Sequence, residues 1–231
     1  MKILVADTSS SVCSVGVFED NVLINKNELD NGKTHSENFM PLVEKTLNEA
    51  KLKLDDIEYL AVVVGPGSFT GIRIGVASCK AMAEIKGLKV VPVYSLDSLA
   101  ANGVGNGNGN VICSMIDARN NQVYCGIYDN KINKLEEYMA DDIENVLLVL
   151  NKYDDIVFVG DGAGLHEDMI KEKMVGKKIV FSSNNKQNAE SLGIIAYKKI
   201  KNGEFTDPDS VVPVYLRKSQ AERLKDAKEN S

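Results

Sequence analysis

The sequence predicts a duplicated, two-lobed α/β fold, and three observations predict it. Short apolar runs alternate with stretches of helical periodicity, the pattern of sheets covered by helices. The same order of elements occurs twice along the chain. Between the two copies lies Asn-Gly-Val-Gly-Asn-Gly-Asn-Gly-Asn, residues 102–110, which cannot build a core and reads as a linker. With 231 residues, 44% hydrophobic and 26% charged, the chain has an ordinary globular composition and length enough for one large domain or two small ones.

In the first half, Ile3-Leu4-Val5-Ala6 is a continuous apolar run, as in a strand buried on both faces. Asp7-Thr8-Ser9-Ser10 turns into a second strand, residues 12–18, and Glu19-Asp20-Asn21 into a third, residues 22–29, giving an antiparallel meander. Phe39, Val43, Leu47, Ala50 and Leu54 recur at helical spacing and predict a helix over residues 36–53. Pro41 falls near its start, where a missing N–H costs least. Residues 59–64 read as a buried strand. Gly65-Pro66-Gly67-Ser68-Phe69-Thr70-Gly71 is a glycine loop that opens a helix running to about Lys86. Residues 89–94 form another strand, and Ser95 is placed to cap a short helix through Ala101.

The second half repeats that order. Residues 111–116 are apolar and end at Asp117. Ala118-Arg119-Asn120-Asn121 turns into a strand over 122–128, and a third strand is expected near Ile132. Residues 142–150 are helix-like, 156–159 a strand, and Gly160-Asp161-Gly162-Ala163-Gly164 a glycine loop with a helix from about Leu165. A strand over 178–181 and a helix over 189–201 complete the set. The lobes are therefore expected at residues 1–103 and 104–231, the second ending in a charged tail from Ser219 to Ser231. A meander plus an α/β unit, present twice, is the architecture of actin, the Hsp70 chaperones and the sugar kinases.

Composition narrows the function. A net charge of −6 and a pI near 5.1 lack the basic footprint of a chain that grips nucleic acid alone. No polybasic run suggests a membrane surface, and no apolar run approaches the roughly 20 residues that cross a bilayer. Asp7 ends the first apolar run short of a signal-peptide core. Cys13, Cys79, Cys113 and Cys125 have no CxxC spacing and read as reduced core thiols of a cytoplasmic protein.

Three places could carry function. Asp7-Thr8-Ser9-Ser10 could offer backbone N–H groups and hydroxyls to a nucleotide or other anion, or be an ordinary side-chain-closed turn. The glycine loop is neither a Walker A sequence nor the dinucleotide fingerprint, since its spacing is GxGxxxG. It also reads as a tight turn that permits close packing. The helix that follows is apolar nearly all round. Ile72, Val76, Cys79 and Ala83 make one face and Ile74, Ala77, Ala81 and Ile85 another, with small residues such as Gly75 and Ser78 to let a second helix approach. Such a helix is buried on two sides, either within its own lobe or against a partner. His35 and His166, the two histidines, lack the spacing of a metal site.

Four segments carry a family resemblance: residues 3–9, residues 65–75, Asp117-Ala118-Arg119 with Val123-Tyr124, and Pro213-Val214-Tyr215-Leu216-Arg217. They are similar to the TsaB proteins, the smaller paralogues in the TsaD family once called glycoproteases. The resemblance implies an accessory subunit, without catalysis of its own, for placing threonylcarbamoyl on N6 of the adenosine 3′ of the tRNA anticodon. It implies pairing with a TsaD-like catalytic subunit, or with a second copy, through helices of the N-terminal lobe, with Phe39, Ile74, Ala77, Ser78, Ala81 and Ile85 as the expected interface. A TsaE-like ATPase and tRNA are then reached through the complex. TsaD-like proteins carry a His-x-x-x-His pair where this chain has Ser95 and Leu99, so no metal of its own is expected. The competing readings are a small ATPase or kinase of the same fold, a nucleotide-binding module that does not turn over, and a metallopeptidase.

Overall fold

The computed structural model describes residues 1–32, 34–106 and 111–217. The first sheet takes its meander from β1 (Lys2–Asp7), β2 (Cys13–Glu19) and β3 (Val22–Leu29), and its parallel part from β4 (Tyr59–Gly65) and β5 (Lys89–Tyr94). The second is built alike from β6 (Val111–Asp117), β7 (Gln122–Asp129), β8 (Met139–Asp142), β9 (Asp155–Val159) and β10 (Lys178–Phe181). Their strand orders are β3-β2-β1-β4-β5 and β8-β7-β6-β9-β10, so the duplication holds at the level of pairing. In each, the first strand runs antiparallel to the second and parallel to the fourth, which puts an apolar strand in the middle of the sheet.

Helices α1 (His35–Glu49) and α2 (Phe69–Lys86) cover one face of the first sheet, around Leu4, Val15, Val17, Leu60 and Val62. Helices α4 (Ile143–Leu150), α5 (Asp161–Leu165) and α6 (Glu167–Lys173) cover the matching face of the second. The remaining helices are exchanged. Helix α3 (Ser95–Ala101) follows the first sheet in sequence, yet its Leu96, Leu99 and Ala100 pack with Ile112, Ile116 and Val157 of the second. Helix α7 (Ala189–Lys201) returns the arrangement, packing Ala189, Leu192, Ile195 and Ala196 on Ile3, Val5, Val91 and Val93. A division at 103/104 separates the sheets but not the packing units.

Several local expectations are corrected. Helix α1 stops at Glu49 because Lys51 adopts φ 57°, and Leu54 falls in a separate 3-10 turn, Leu54–Asp56. Pro41 lies inside α1 rather than in its first turn, on the solvent side where the lost hydrogen bond exposes its partner to water. Ser95 is the first helical residue, not the cap, and its hydroxyl donates to the Pro66 carbonyl. Ile132 is not in a strand. The Asp129 carboxylate accepts the N–H groups of Lys131 and Asn133, both at 2.8 Å, and closes a turn that holds Ile132 at φ 59°. The third strand is β8, which begins seven residues further along, at Met139. The glycine run 160–164 is mostly helix: Gly160, at φ 112°, makes the turn and α5 starts at once. Residues 107–110 of the expected linker and the tail from Ser219 to Ser231 lie outside the described residues.

Candidate functional site

A cleft of about 810 Å³ opens between the lobes. The first lobe lines it with residues 9–12, 34–36 and the glycine loop; the second with residues 117–119, Tyr124, Asp161 and residues 185–187. Both strand-end turns singled out in the sequence, after β1 and after β6, therefore face one space.

The turn after β1 is bolted to the glycine loop. Asp7 is fully buried, and its Oδ1 accepts the N–H of Ser9 at 2.8 Å and the hydroxyl of Ser9 at 2.7 Å. Its Oδ2 is buried with no partner among the described residues. Burial pushes the Asp7 carboxyl above the usual carboxylate range, against the two Ser9 bonds and the charge of His35, which pull it down. The Thr8 hydroxyl donates to the Gly71 carbonyl at 2.7 Å. A Cβ on Gly71 would lie 2.0 Å from the Thr8 carbonyl, so the close approach requires glycine there. The Ser68 N–H donates to the Ser9 carbonyl at 2.7 Å, and Ser10 Oγ accepts the Val12 N–H at 3.2 Å. The hydroxyls of Thr8 and Ser9 and the N–H of Ser9 are thus already bonded inside the protein. The glycine loop receives the chain's own turn.

The turn after β6 is closed in the same manner. Asp117 Oδ1 accepts the Arg119 N–H at 2.7 Å, and Arg119, Asn120 and Asn121 follow in left-handed conformation at φ 63°, 56° and 60°. Asp161 Oδ1 accepts the N–H groups of Asp117 at 3.1 Å and Gly162 at 2.8 Å. Burial raises the Asp161 pKa, and the neighbouring Asp117 adds to the rise.

The histidines stay apart. His35 Nε2 donates to the Ser10 carbonyl at 2.7 Å and ties α1 to the first turn. Its Nδ1, like Nε2 of His166, is buried without a partner among the described residues. Ser95 and Leu99 are fully buried, one bonded to Pro66 and the other packed in the α3 core. Among the described residues no three His, Cys, Asp or Glu side chains gather as a metal would need.

The two faces of α2 are treated differently. Ile72, Val76, Cys79 and Ala83 enter the core. Ile74 and Ser78 are half-buried, Ala77 and Ala81 exposed, and Ile85 is 78% exposed. Phe39 corrects the expected interface: at 1% exposure it points into the first-lobe core, because its position on α1 faces the sheet. The next residue, Met40, is 47% exposed. With Pro41, Val43, Leu47, Leu54 and Met82 it lines an apolar groove of about 440 Å³ beside α2. The signal for Met40 was available as an apolar residue on the solvent side of an amphipathic helix.

Residues 29–225 match the TsaD family, described as tRNA N6-adenosine threonylcarbamoyltransferase. A Bacillus subtilis protein named tRNA threonylcarbamoyladenosine biosynthesis protein TsaB is 33% identical over 228 residues, 96% of each chain. The chain belongs to the TsaB family. An Escherichia coli TsaB is 29% identical, again over 96% of each chain. The structure of YeaZ from Pseudomonas aeruginosa superimposes with a TM-score of 0.80 at 25% identity, covering 93% of this chain and 99% of that one. A hexokinase of the ROK type from Thermus thermophilus, at TM-score 0.55 and 12% identity over 88% of this chain and 100% of that one, shares the fold alone. The TsaB family thus sits on the two-lobed sugar-kinase architecture expected from the sequence. In this member no helix among the described residues is long and apolar enough to cross a membrane.

Proposed function

We propose that this chain is the non-catalytic subunit through which a TsaD-like enzyme forms N6-threonylcarbamoyladenosine in tRNA, at the adenosine 3′ of the anticodon. The kinship with TsaB proteins over nearly the whole chain carries this reading. Two observations support it. In the first cleft turn the hydroxyls of Thr8 and Ser9 and the Ser9 N–H are spent internally, which suits a scaffold better than a kinase. The uncovered ridge of α2, with Ile74, Ala77, Ser78, Ala81 and Ile85, and the groove under Met40 offer apolar surface beside small residues. The TsaD-like subunit packs along that ridge. A TsaE-like ATPase joins through the assembled pair, and tRNA is held chiefly by the partners, in keeping with a net charge of −6.

The test is light-scattering chromatography of the chain with the TsaD-like protein of the same cell. A one-to-one complex is expected, and Ala81→Glu should abolish it. An unpaired charge forced into such an interface costs about 3 kcal/mol, more than a hundredfold in Kd. Absence of a complex at micromolar concentration, with the ATPase and nucleotide present, overturns the proposal. Dimers of this chain alone, dissolved by Ala81→Glu, would assign the same ridge to self-pairing.

A further inference from the structure

Two of the segments that carry the family resemblance, residues 213–217 and residues 117–119 with 123–124, have no part in the proposed pairing ridge. The fold brings them together across 99 positions of sequence. After a short turn, Pro208–Ser210, the chain crosses α2, where Lys80 Nζ donates to the carbonyls of Asp209 and Val211, each at 3.1 Å. Val211 is buried in the first-lobe core. The Val214 N–H donates to the Val64 carbonyl at 2.7 Å. The Val214 carbonyl lies over Gly65, where a Cβ would stand 2.3 Å from it, so the crossing requires a glycine beneath. Tyr215 then stacks on Phe69 with ring centres 4.4 Å apart, and its hydroxyl accepts Nε–H of Arg73 at 2.9 Å. The Arg73 guanidinium itself lies 3.9 Å from the centre of the Phe69 ring.

The chain changes lobes at the next residue. Leu216 packs against the cluster of Leu96, Ile112 and Ile116, to which Tyr124 also packs. Arg217 Nη1 donates to the Ala118 carbonyl at 2.9 Å. Two residues of extended chain span only about 7 Å, so there is little slack between the anchor on α2 and the anchor on the cleft turn. We propose that residues 211–217 are a strap that couples the first turns of α2 to the cleft-lining turn 117–121 of the other lobe. In one respect the idea rests on the proposed function: a partner seated along α2 would act on the strap's anchor and through it on the cleft.

The coupling itself needs no partner to be tested. In the turn, the Ala118 N–H donates to the Gln122 carbonyl at 2.9 Å, the Gln122 N–H to the Arg119 carbonyl at 3.1 Å and the Arg119 N–H to Asp117 at 2.7 Å. Amide hydrogen exchange of the full chain therefore reports on it. Arg73→Ala alters an exposed residue of the first lobe whose described contacts are Phe69 and Tyr215. It should raise exchange of residues 118–122 by about tenfold, the scale of one lost charge-assisted bond. Arg217→Ala should do the same, and both should leave β9 unchanged. Tyr215→Leu, which keeps bulk and loses the stack, should match Arg73→Ala. If Arg73→Ala and Tyr215→Leu loosen α2 alone and the second-lobe turn exchanges at the wild-type rate, the ties are independent and the strap couples nothing. No change in Arg217→Ala overturns it equally.

Discussion

Alanine at Gly193 is a direct trial of how α7 is seated on the first sheet. A Cβ at that position would lie 2.1 Å from two ring carbons of Phe18 and 2.6 Å from a third. Phe18 is 1% exposed, on β2 of the other half of the sequence. Two effects oppose each other. In a free helix, glycine to alanine gains about 1 kcal/mol. Here, carbon atoms settle about 3.5–4.0 Å apart, so the ring or the helix must move by more than 1 Å in an interior packed as densely as a crystal. Overpacking of that kind costs about 1–3 kcal/mol, and a displacement this large belongs at the upper end. The clash therefore wins, with a net loss of about 2 kcal/mol. At a urea slope of about 3 kcal/mol per molar, the unfolding midpoint followed by circular dichroism should fall by about 0.7 M. Gly164, on α5, has open space where its Cβ would be, and Gly164→Ala should leave the midpoint unchanged or raise it. A Gly193→Ala midpoint equal to or above wild type would mean that α7 rides loosely on the sheet and that the lobes are not exchanged as described.

Other outcomes follow from single groups. Asp7 has its pKa raised by burial; such a carboxyl contributes stability that is complete below its unfolded pKa and is lost as pH rises through its folded one. The stability of wild type relative to Asp7→Asn should therefore increase as pH falls from 7 toward the ordinary carboxylate range, and urea midpoints showing the opposite trend would contradict the burial argument. Asp97 Oδ1 accepts the hydroxyls of Tyr128 at 2.8 Å and Tyr138 at 2.6 Å. Asp97→Ala removes the acceptor the two share and should cost about 3 kcal/mol, lowering Tm by about 9 °C in a calorimeter. Burial pushes the Cys13 thiol up to about 11 and Cys79 to about 12, and all four cysteines are buried. An aromatic disulfide reagent at pH 8 should label none of them before urea unfolds the chain; prompt labelling of Cys79 would show the α2 core to be open.

Much of this architecture could be read from residue pattern because its strands advertise themselves. The runs at β1, β4 and β9 are apolar without interruption, that at β6 is broken only by Ser114, and all four belong to central strands. Edge strand β8 was invisible for the converse reason: Met139-Ala140-Asp141-Asp142 has no β-branched or aromatic residue, and it is a strand because β7 offers it a hydrogen-bonding edge. Ile132 misled in the other direction, since its side chain favours a strand while the carboxylate three residues earlier dictates a turn. For the site, spacing identified the glycine loop but left its task open. That task depends on Thr8, 63 residues away from Gly71, and no local pattern reports such a meeting. Helical periodicity likewise separated the two faces of α2, but Phe39 and Met40 show that a residue's place on the right helix does not say which way it points.

The exchange of α3 and α7 bears on how the chain is made. A ribosome delivers the whole first sheet by residue 94, yet the residues that close its second face begin at Ala189. Through that interval Ile3, Val5, Val91 and Val93 have no cover from their own lobe, while α3 waits only for β6 and β9 to emerge. The half synthesised first is therefore the half completed last. On a nascent chain that apolar face stays uncovered until α7 has emerged, and surface of this kind is what makes unfinished domains prone to association.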